Sequence, residues 1–141
     1  MAYLNYFGQV MPTTPWSSNV ITGSRLAEDA NTTLAGTAGS DNFVPKAVLN
    51  LAGGAGSDGY QYVTSATQVI EAAGEGTDTV FVTNDYAMPD NVENLTIWYA
   101  RAVIGNALGN LIIGNSGSQT INGGAGGDLL QGKGGNDVFR F

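Results

Sequence analysis

The chain has 141 residues, including 21 glycines but no cysteine or histidine, and its 5 basic and 12 acidic residues give a net charge of −7. This composition excludes disulfides, thiolate zinc sites and Ser-His-Asp catalysis. The negative charge disfavours nucleic acid and anionic lipid as partners, and no apolar stretch reaches the about 18 residues that predict membrane insertion.

The N-terminal segment, residues 1–35, contains no repeat and does not begin with the basic and then apolar stretches of a secretory signal peptide. Its aromatic side chains are Tyr3, Tyr6, Phe7 and Trp16. We expect this segment to cap the first coil of a repeat protein, since an open sheet end invites pairing with other chains. Sugar stacking by the rings is one alternative, and a strand over residues 2–10 that joins a neighbouring copy is another.

A nine-residue unit, G-x-x-G-x-D-x-(apolar)-x, recurs from residue 36 onward. The units are GTAGSDNFV (36–44), GGAGSDGYQ (53–61), AGEGTDTVF (73–81), GNALGNLII (105–113), GNSGSQTIN (114–122), GGAGGDLLQ (123–131) and GKGGNDVFR (132–140). Glycine allows the first six residues to form a tight turn, and the last three form a short strand with its middle side chain inward. The predicted inward side chains are Phe43, Tyr60, Val80, Ile112, Ile121, Leu130 and Phe139. The pattern predicts an all-β solenoid.

The units fall into two blocks. The first three start at residues 36, 53 and 73 and are separated by interludes such as PKAVLNLA and QYVTSATQVIEA, whereas the last four follow one another without a gap. We therefore predict irregular coils with spacer strands over residues 36–104 and a regular roll over residues 105–141.

The sixth position of the unit predicts a cation site. It holds an aspartate in five units, namely Asp41, Asp58, Asp78, Asp128 and Asp137. Carboxylates stacked at a strand spacing of about 4.8 Å repel one another, and Ca²⁺, which accepts roughly 6 to 8 oxygens, relieves that repulsion. We expect the first three aspartates to form a row. Two further units hold an amide residue at this position, namely Asn110 and Gln119.

The units resemble the nonapeptide of RTX proteins, an exported family of calcium-binding β-rolls. The resemblance is close over residues 105–140 and looser over 36–81, and the segments at 69–81 and 91–97 also resemble spacer repeats of large secreted bacterial RTX proteins. It implies a right-handed parallel β-roll with two units per turn. With two units per turn, Asn110 lies one coil below Asp128 and Gln119 one coil below Asp137, as weaker partners. The metal ligands implied by the resemblance are the side chains of Asp128 and Asp137 and the carbonyls of Gly123, Ala125, Gly132 and Gly134. Asp41, Asp58, Asp78 and Asn110 are further candidate ligands from their place in the unit.

The resemblance also implies a location. RTX proteins leave the cell by type I secretion and fold in a calcium-rich medium, so we expect an extracellular or cell-surface protein. The ending DVFRF, residues 137–141, is similar to the acidic and then apolar terminus of some such substrates. Because the chain stops there, Asp128 and Asp137 are expected to form half-sites that a second molecule completes.

The functional prediction is a non-catalytic structural protein that self-associates into a surface layer, matrix or filament. The remaining acids, at positions 71, 75, 85, 90 and 93, are scattered and expected to be solvated rather than to form a glycosidase pair. One alternative is a carbohydrate-binding module that recognises polysaccharide through aromatic residues, including Trp98 and Tyr99. Another is a calcium-dependent folding and secretion module of a larger secreted enzyme.

Overall fold

The computed structural model describes residues 33–45 and 50–141 in full and residues 19–23 in their backbone. These residues form fourteen strands: β1 Asn19–Gly23, β2 Thr33–Ala35, β3 Asp41–Pro45, β4 Asn50–Ala52, β5 Gly59–Val63, β6 Gln68–Ile70, β7 Thr79–Val82, β8 Tyr86–Ala87, β9 Asn94–Ile97, β10 Ala102–Ile104, β11 Leu111–Ile113, β12 Thr120–Asn122, β13 Leu129–Gln131 and β14 Val138–Arg140. In the described part of the chain, no helix has the length and apolar character needed to cross a bilayer.

The strands form three parallel sheets. The seven odd-numbered strands make one continuous sheet, here called the long sheet, in the order β1-β3-β5-β7-β9-β11-β13. Strands β2, β4 and β6 make the first short sheet, and β8, β10, β12 and β14 make the second. Because the chain alternates between the long sheet and a short one, it winds as a parallel β-solenoid of about six turns, which confirms the predicted fold class.

The last four units show why the sequence winds in this way. Each consists of a six-residue glycine-rich turn and a three-residue strand, and consecutive units place their strands in opposite sheets. The register pairs Leu111 with Leu129 in the long sheet and Thr120 with Val138 in the second short sheet. Two units therefore make one coil, as the resemblance implies.

The core lies between the sheets and is filled by inward side chains of the strands and of the segments that connect them. Phe43 and Tyr60 are fully buried, and their rings stack with centroids 4.9 Å apart. The other predicted inward residues Val80, Ile112 and Ile121 are also fully buried. Each such side chain contributes about 1.5–3 kcal/mol relative to an exposed position.

The predicted inward series is wrong at its last member. Leu130 is only partly buried, although it packs against the core, and Phe139 is 41% exposed. Both lie in the final coil, where no described residue packs over their outer side. Burial of the eighth position therefore depends on having a coil on both sides.

The spacer prediction is confirmed, since the two interludes contribute β4 and β6 to the first short sheet. The long sheet runs without a break across the predicted boundary between residues 104 and 105. Within the N-terminal segment, β1 pairs with β3 and β2 pairs with β4. The aromatic residues predicted to form a cap and the predicted strand over residues 2–10 lie outside the described residues.

Candidate metal sites

One corner of the solenoid stacks a polar side chain from six successive coils, at or immediately before the start of strands β3, β5, β7, β9, β11 and β13. We call this row the corner column; its members are Asp41, Asp58, Asp78, Glu93, Asn110 and Asp128. The backbone N–H of Asp41 donates to Asp58 Oδ1 at 2.7 Å, and the N–H of Asp58 donates to Asp78 Oδ1 at 2.8 Å. The predicted row of three aspartates is therefore confirmed.

The same link recurs at two of the three remaining steps of the column. The N–H of Asp78 donates to Glu93 Oε2 at 2.8 Å, and the N–H of Asn110 donates to Asp128 Oδ1 at 2.9 Å. At the opposite corner, the N–H of Gln119 donates to Asp137 Oδ1 at 2.8 Å. Both predicted pairings of an amide residue with an aspartate one coil away are thus confirmed.

The N-terminal coils of the solenoid, residues 36–82, are here called the lower coils. Three of their acids converge inside the solenoid. Asp58 and Asp78 of the corner column meet Glu71, which follows strand β6 on the other side of the same coil, and their ligand oxygens lie within 4.8 Å of one another. Their exposed fractions are 2%, 1% and 8%, respectively. We call these three residues the acid cluster. Its oxygens are close enough to share one metal ion.

Two oxygens at the acid cluster have no hydrogen-bond partner. Glu71 Oε1 accepts from the Tyr60 hydroxyl, but Glu71 Oε2 and Asp58 Oδ2 are buried and accept no hydrogen bond from the described residues. Asp41 Oδ1, further along the column, is in the same situation. An unpartnered buried carboxylate oxygen is costly, so these atoms are candidate ligands for a cation.

Burial of the acid cluster raises its pKa values. Desolvation is the largest cause for all three carboxyls, bringing the pKa of Glu71 to about 7 and that of Asp78 to about 6, and it also raises the pKa of Asp58. Repulsion by neighbouring acids, both within the cluster and around it, adds to the rise, while the hydrogen bonds that the three carboxyls accept oppose it. A bound cation would reverse this trend by favouring the ionised forms.

Gly53 leaves room for the oxygens of this site. A Cβ atom at this position would overlap Asp58 Oδ2, the Tyr60 hydroxyl and Glu71 Oε1. Three oxygens from three different parts of a coil therefore converge beside one glycine. The donor set consists only of oxygens, which suits a hard divalent cation rather than a soft one.

The C-terminal coils, residues 105–141, are here called the upper coils. They place the predicted carbonyl ligands in stacked turns. A Cβ on Gly105 would overlap the carbonyl oxygen of Gly123, and one on Gly114 would lie against that of Gly132. These carbonyls thus point at the turn of the preceding coil. The other two predicted carbonyl residues, Ala125 and Gly134, donate their N–H groups to the carbonyls of residues 106 and 115, each at 3.1 Å.

The amide side chains of the upper coils form hydrogen bonds with polar groups of their own turns. Asn110 Oδ1 accepts from the N–H of Asn106 at 2.9 Å, while its Nδ2 donates to Asn106 Oδ1 at 3.0 Å and to the Val92 carbonyl at 3.2 Å. Gln119 Oε1 accepts from the N–H of Asn115, and its Nε2 donates back to Asn115 Oδ1 at 2.6 Å. An amide supplies the donors that a carboxylate lacks, so these turns close without a cation.

Glu71 and Glu93 were expected to be solvated, but Glu71 belongs to the acid cluster and Glu93 to the corner column. Glu93 stands two residues before buried Leu95, the same offset that places Asp78 before Val80. That offset, rather than the glycine pattern, was the available signal. Glu71 continues the alternation of exposed and buried residues in β6, which places it inward after buried Val69.

Comparisons with known proteins add one partial match. No family model and no solved structure matches the chain. Over 89 residues the chain is 43% identical to the endo-1,3-1,4-beta-glycanase ExsH of Rhizobium meliloti (strain 1021), a match that covers 61% of this chain and 19% of that protein. The matched region thus spans about a fifth of the length of this relative.

Proposed function

We propose that this chain is a non-catalytic, calcium-binding β-solenoid module of the RTX type, whose folding depends on the ions that it binds. The observation that carries this proposal is the acid cluster, in which two buried carboxylate oxygens lack a hydrogen-bond partner. Three buried acids within reach of one another are unstable when ionised unless a cation binds them. Calcium suits them because it accepts many oxygens in a flexible geometry.

The proposed ligands differ along the solenoid. In the lower coils, Asp41 joins the acid cluster as a further carboxylate donor. In the upper coils, Asp128 and Asp137 bind together with the predicted carbonyls of the glycine turns, and Asn110 contributes a neutral oxygen at most. Fewer charges per site should weaken calcium binding there.

A non-catalytic role agrees with the burial of the acids. Glycoside hydrolysis needs two carboxyl groups that reach the scissile bond. The members of the acid cluster are at most 8% exposed, which leaves a sugar no access to them. Their arrangement therefore favours ion binding over catalysis.

The partial match favours the module interpretation. The relative is named as an endo-glycanase, and only 19% of it aligns with this chain. We propose that the solenoid accompanies a larger exported protein that acts on polysaccharide, leaves the cell by type I secretion and acquires calcium outside it. Self-association into a layer or filament stays a prediction; sedimentation of the chain as a monomer both with calcium and with chelator would contradict it.

The calcium dependence can be tested on the purified chain. We expect the circular dichroism of chelator-treated protein to gain β-structure as calcium is added, and to gain less with magnesium at equal concentration. Glu71→Gln keeps the acceptor for Tyr60 but removes one charge, so it should require more calcium for the same gain. Asp90→Asn, at an exposed position, is the matched control and should behave as the parent does. A chelated parent that is already fully folded, or a Glu71→Gln variant with an unchanged calcium midpoint, would refute the proposal.

A further inference from the structure

Three aromatic rings from successive coils meet on the outer face of the long sheet. Tyr62 and Trp98 lie edge to face with centroids 4.8 Å apart, and Phe81 is tilted against Trp98 at 5.5 Å. We call these three residues the aromatic patch. It lies on the opposite side of the sheet from the core and contributes nothing to the acid cluster.

The backbone is distorted where Tyr62 joins the aromatic patch. Strands β5 and β7 pair Tyr60 with Val80 and then Val63 with Val82, so the register shifts between these pairs and leaves extra residues in β5. Tyr62 occupies that irregularity with φ 55°, a left-handed conformation that costs a non-glycine residue about 1–2 kcal/mol. A bulge of this kind re-aims a side chain, and here it holds a ring that remains 52% exposed beside Trp98.

The long-sheet strands around the aromatic patch carry no exposed charged side chain. In strands β3, β5, β7, β9, β11 and β13, the one charged residue is Asp41, which is buried. The outward positions next to the rings are polar but neutral; Gln61 Nε2, for example, donates to Asn42 Oδ1 at 3.0 Å. Gln61 Oε1 receives no hydrogen bond from the described residues. A neutral face on a chain with a net charge of −7 suits an uncharged partner.

We infer that the aromatic patch binds a single, uncharged chain of β-linked glucose units. A β-linked glucose ring carries its hydroxyls at the edge and presents C–H groups on both faces, so its face packs on an aromatic ring while its edge bonds to neutral polar side chains. Gln61 Oε1 is a suitable acceptor for such a hydroxyl. The rings are inclined by 76° and 44°, which fits a twisted soluble chain rather than the flat surface of a crystalline polymer.

Binding at the aromatic patch goes beyond the proposed calcium module. The cation sites lie inside the corner, whereas the rings project from the outside of the sheet. Loss of sugar binding with an intact calcium response, or the reverse, therefore separates the two proposals. The occupant is a glucan rather than a protein because the long-sheet strands offer no exposed charged side chain that would orient a protein partner.

The test uses the full chain in calcium, with tryptophan fluorescence and affinity electrophoresis as readouts. The probes are laminarin and a soluble mixed-linkage β-glucan, with α-linked dextran and anionic alginate as comparison polymers. We expect binding to both β-glucans and to neither comparison polymer. Trp98→Ala should abolish it.

Tyr62→Gly is the decisive variant because glycine accepts the φ of that position while removing the ring. It should lower β-glucan affinity at least about fivefold, the contribution of one aromatic contact, without lowering the melting temperature. Tyr99→Ala, which removes a 77% exposed ring outside the aromatic patch, is the control and should bind as the parent does. Unchanged affinity in Tyr62→Gly, equal binding of dextran, or absence of binding by the parent would overturn the inference. If the parent chain is a dimer that the Tyr62→Gly substitution dissociates, the face belongs to an interface with a second copy, and the inference is overturned as well.

Discussion

The lower and upper coils of this solenoid have nearly the same turn sequence, but they differ in how their corner residues are satisfied. In the lower coils, Asp58 and Asp78 are buried against each other and against Glu71, with unpartnered oxygens and raised pKa values. In the upper coils, Asp128 and Asp137 stack on amide residues whose own donors close the turn. The lower coils thus leave buried carboxylate oxygens that a cation could bind, whereas amide donors close the turns of the upper coils.

A second difference is packing. The lower coils are covered on both sides, and their eighth-position side chains are fully buried. In the last coil the same positions are covered on one side only. A repeat unit therefore has no fixed stability of its own, since neighbouring coils determine how much apolar surface it buries.

The largest expected effect compares two phenylalanines at the same position of the unit. Phe43 is fully buried and stacks on Tyr60, whereas Phe139 is 41% exposed. Phe43→Ala should lower the free energy of unfolding by about 3–5 kcal/mol, and Phe139→Ala by less than about 1 kcal/mol. Denaturant titration in calcium measures both. Equal losses would mean that the last coil is covered in solution.

The second-largest effect is expected from replacing carboxylates with amides, and it should differ between the lower and the upper coils. Calcium at about 100 times its dissociation constant should stabilise the parent by about 2.7 kcal/mol. The double variant Asp58→Asn/Asp78→Asn should lose most of that gain and, without calcium, should be more stable than the parent because amides relieve the repulsion. Melting curves with calcium and with chelator measure both quantities.

The upper pair provides the control for this comparison. Asp128→Asn/Asp137→Asn should keep most of the calcium gain, because the acid cluster remains intact. If the double variant of the upper coils, rather than that of the lower coils, abolishes the stabilisation by calcium, the comparison is refuted.

The pH dependence of the calcium-free protein should reflect the acid cluster. The pKa of Glu71 is raised from 4.5 to about 7 and that of Asp78 from 3.8 to about 6, so the folded state holds protons that the unfolded chain has already lost. Stability should therefore fall, by on the order of 1–2 kcal/mol, as the pH rises from about 4 to about 7. The groups facing these carboxyls are Asp58, Tyr60 and the glutamates at positions 75 and 93.

Calcium should flatten this pH profile, because it favours the ionised carboxylates. Unfolding in chelator and in calcium across this pH range tests the prediction, with Glu71→Gln expected to reduce the slope. Calcium-free stability that instead rises over that range would contradict the assignment.

The smallest effect concerns one turn residue. Lys133 adopts φ 70° at the second position of its unit, where Gly54 and Gly124 adopt φ 84° and 90°. Lys133→Gly should stabilise the protein by about 1 kcal/mol, because glycine adopts this conformation without strain. Gly124→Lys should destabilise it, since a Cβ there would also overlap the Asn106 carbonyl. Thermal unfolding of both variants provides the measurement; a loss of stability in Lys133→Gly would refute the strain argument.

Much of the fold could be predicted because the repeat carries it. The glycine turn and the inward apolar position recur, and this was sufficient to predict the strands of the last four units. Their two-unit coil followed from the resemblance to RTX proteins and not from the pattern alone. The stacking of Asp41 on Asp58 also followed, since residues at the same place of a repeat lie in the same row. The exposure of Phe139 did not follow, because the pattern describes a position and not its neighbours.

The candidate site was predicted only in part. Asp58 and Asp78 were chosen from their place in the unit, but Glu71 and Glu93 lie outside any unit and were expected to be solvated. Glu71 reaches the acid cluster from the short-sheet side of its coil, across the solenoid interior. No spacing along the chain encodes that approach.

By itself, the sequence determined the periodic features of this protein, namely parallel strands, glycine turns and a column of oxygen donors at one corner. A repeat suffices to predict these features because each unit adopts the same local conformation. Only the tertiary structure decided which carboxylates lose their water, which amides close their own turns, and where Tyr62 meets Trp98 on the outer face. Desolvation and ring contact depend on groups from different coils, and folding brings those groups together across interludes that the repeat does not govern.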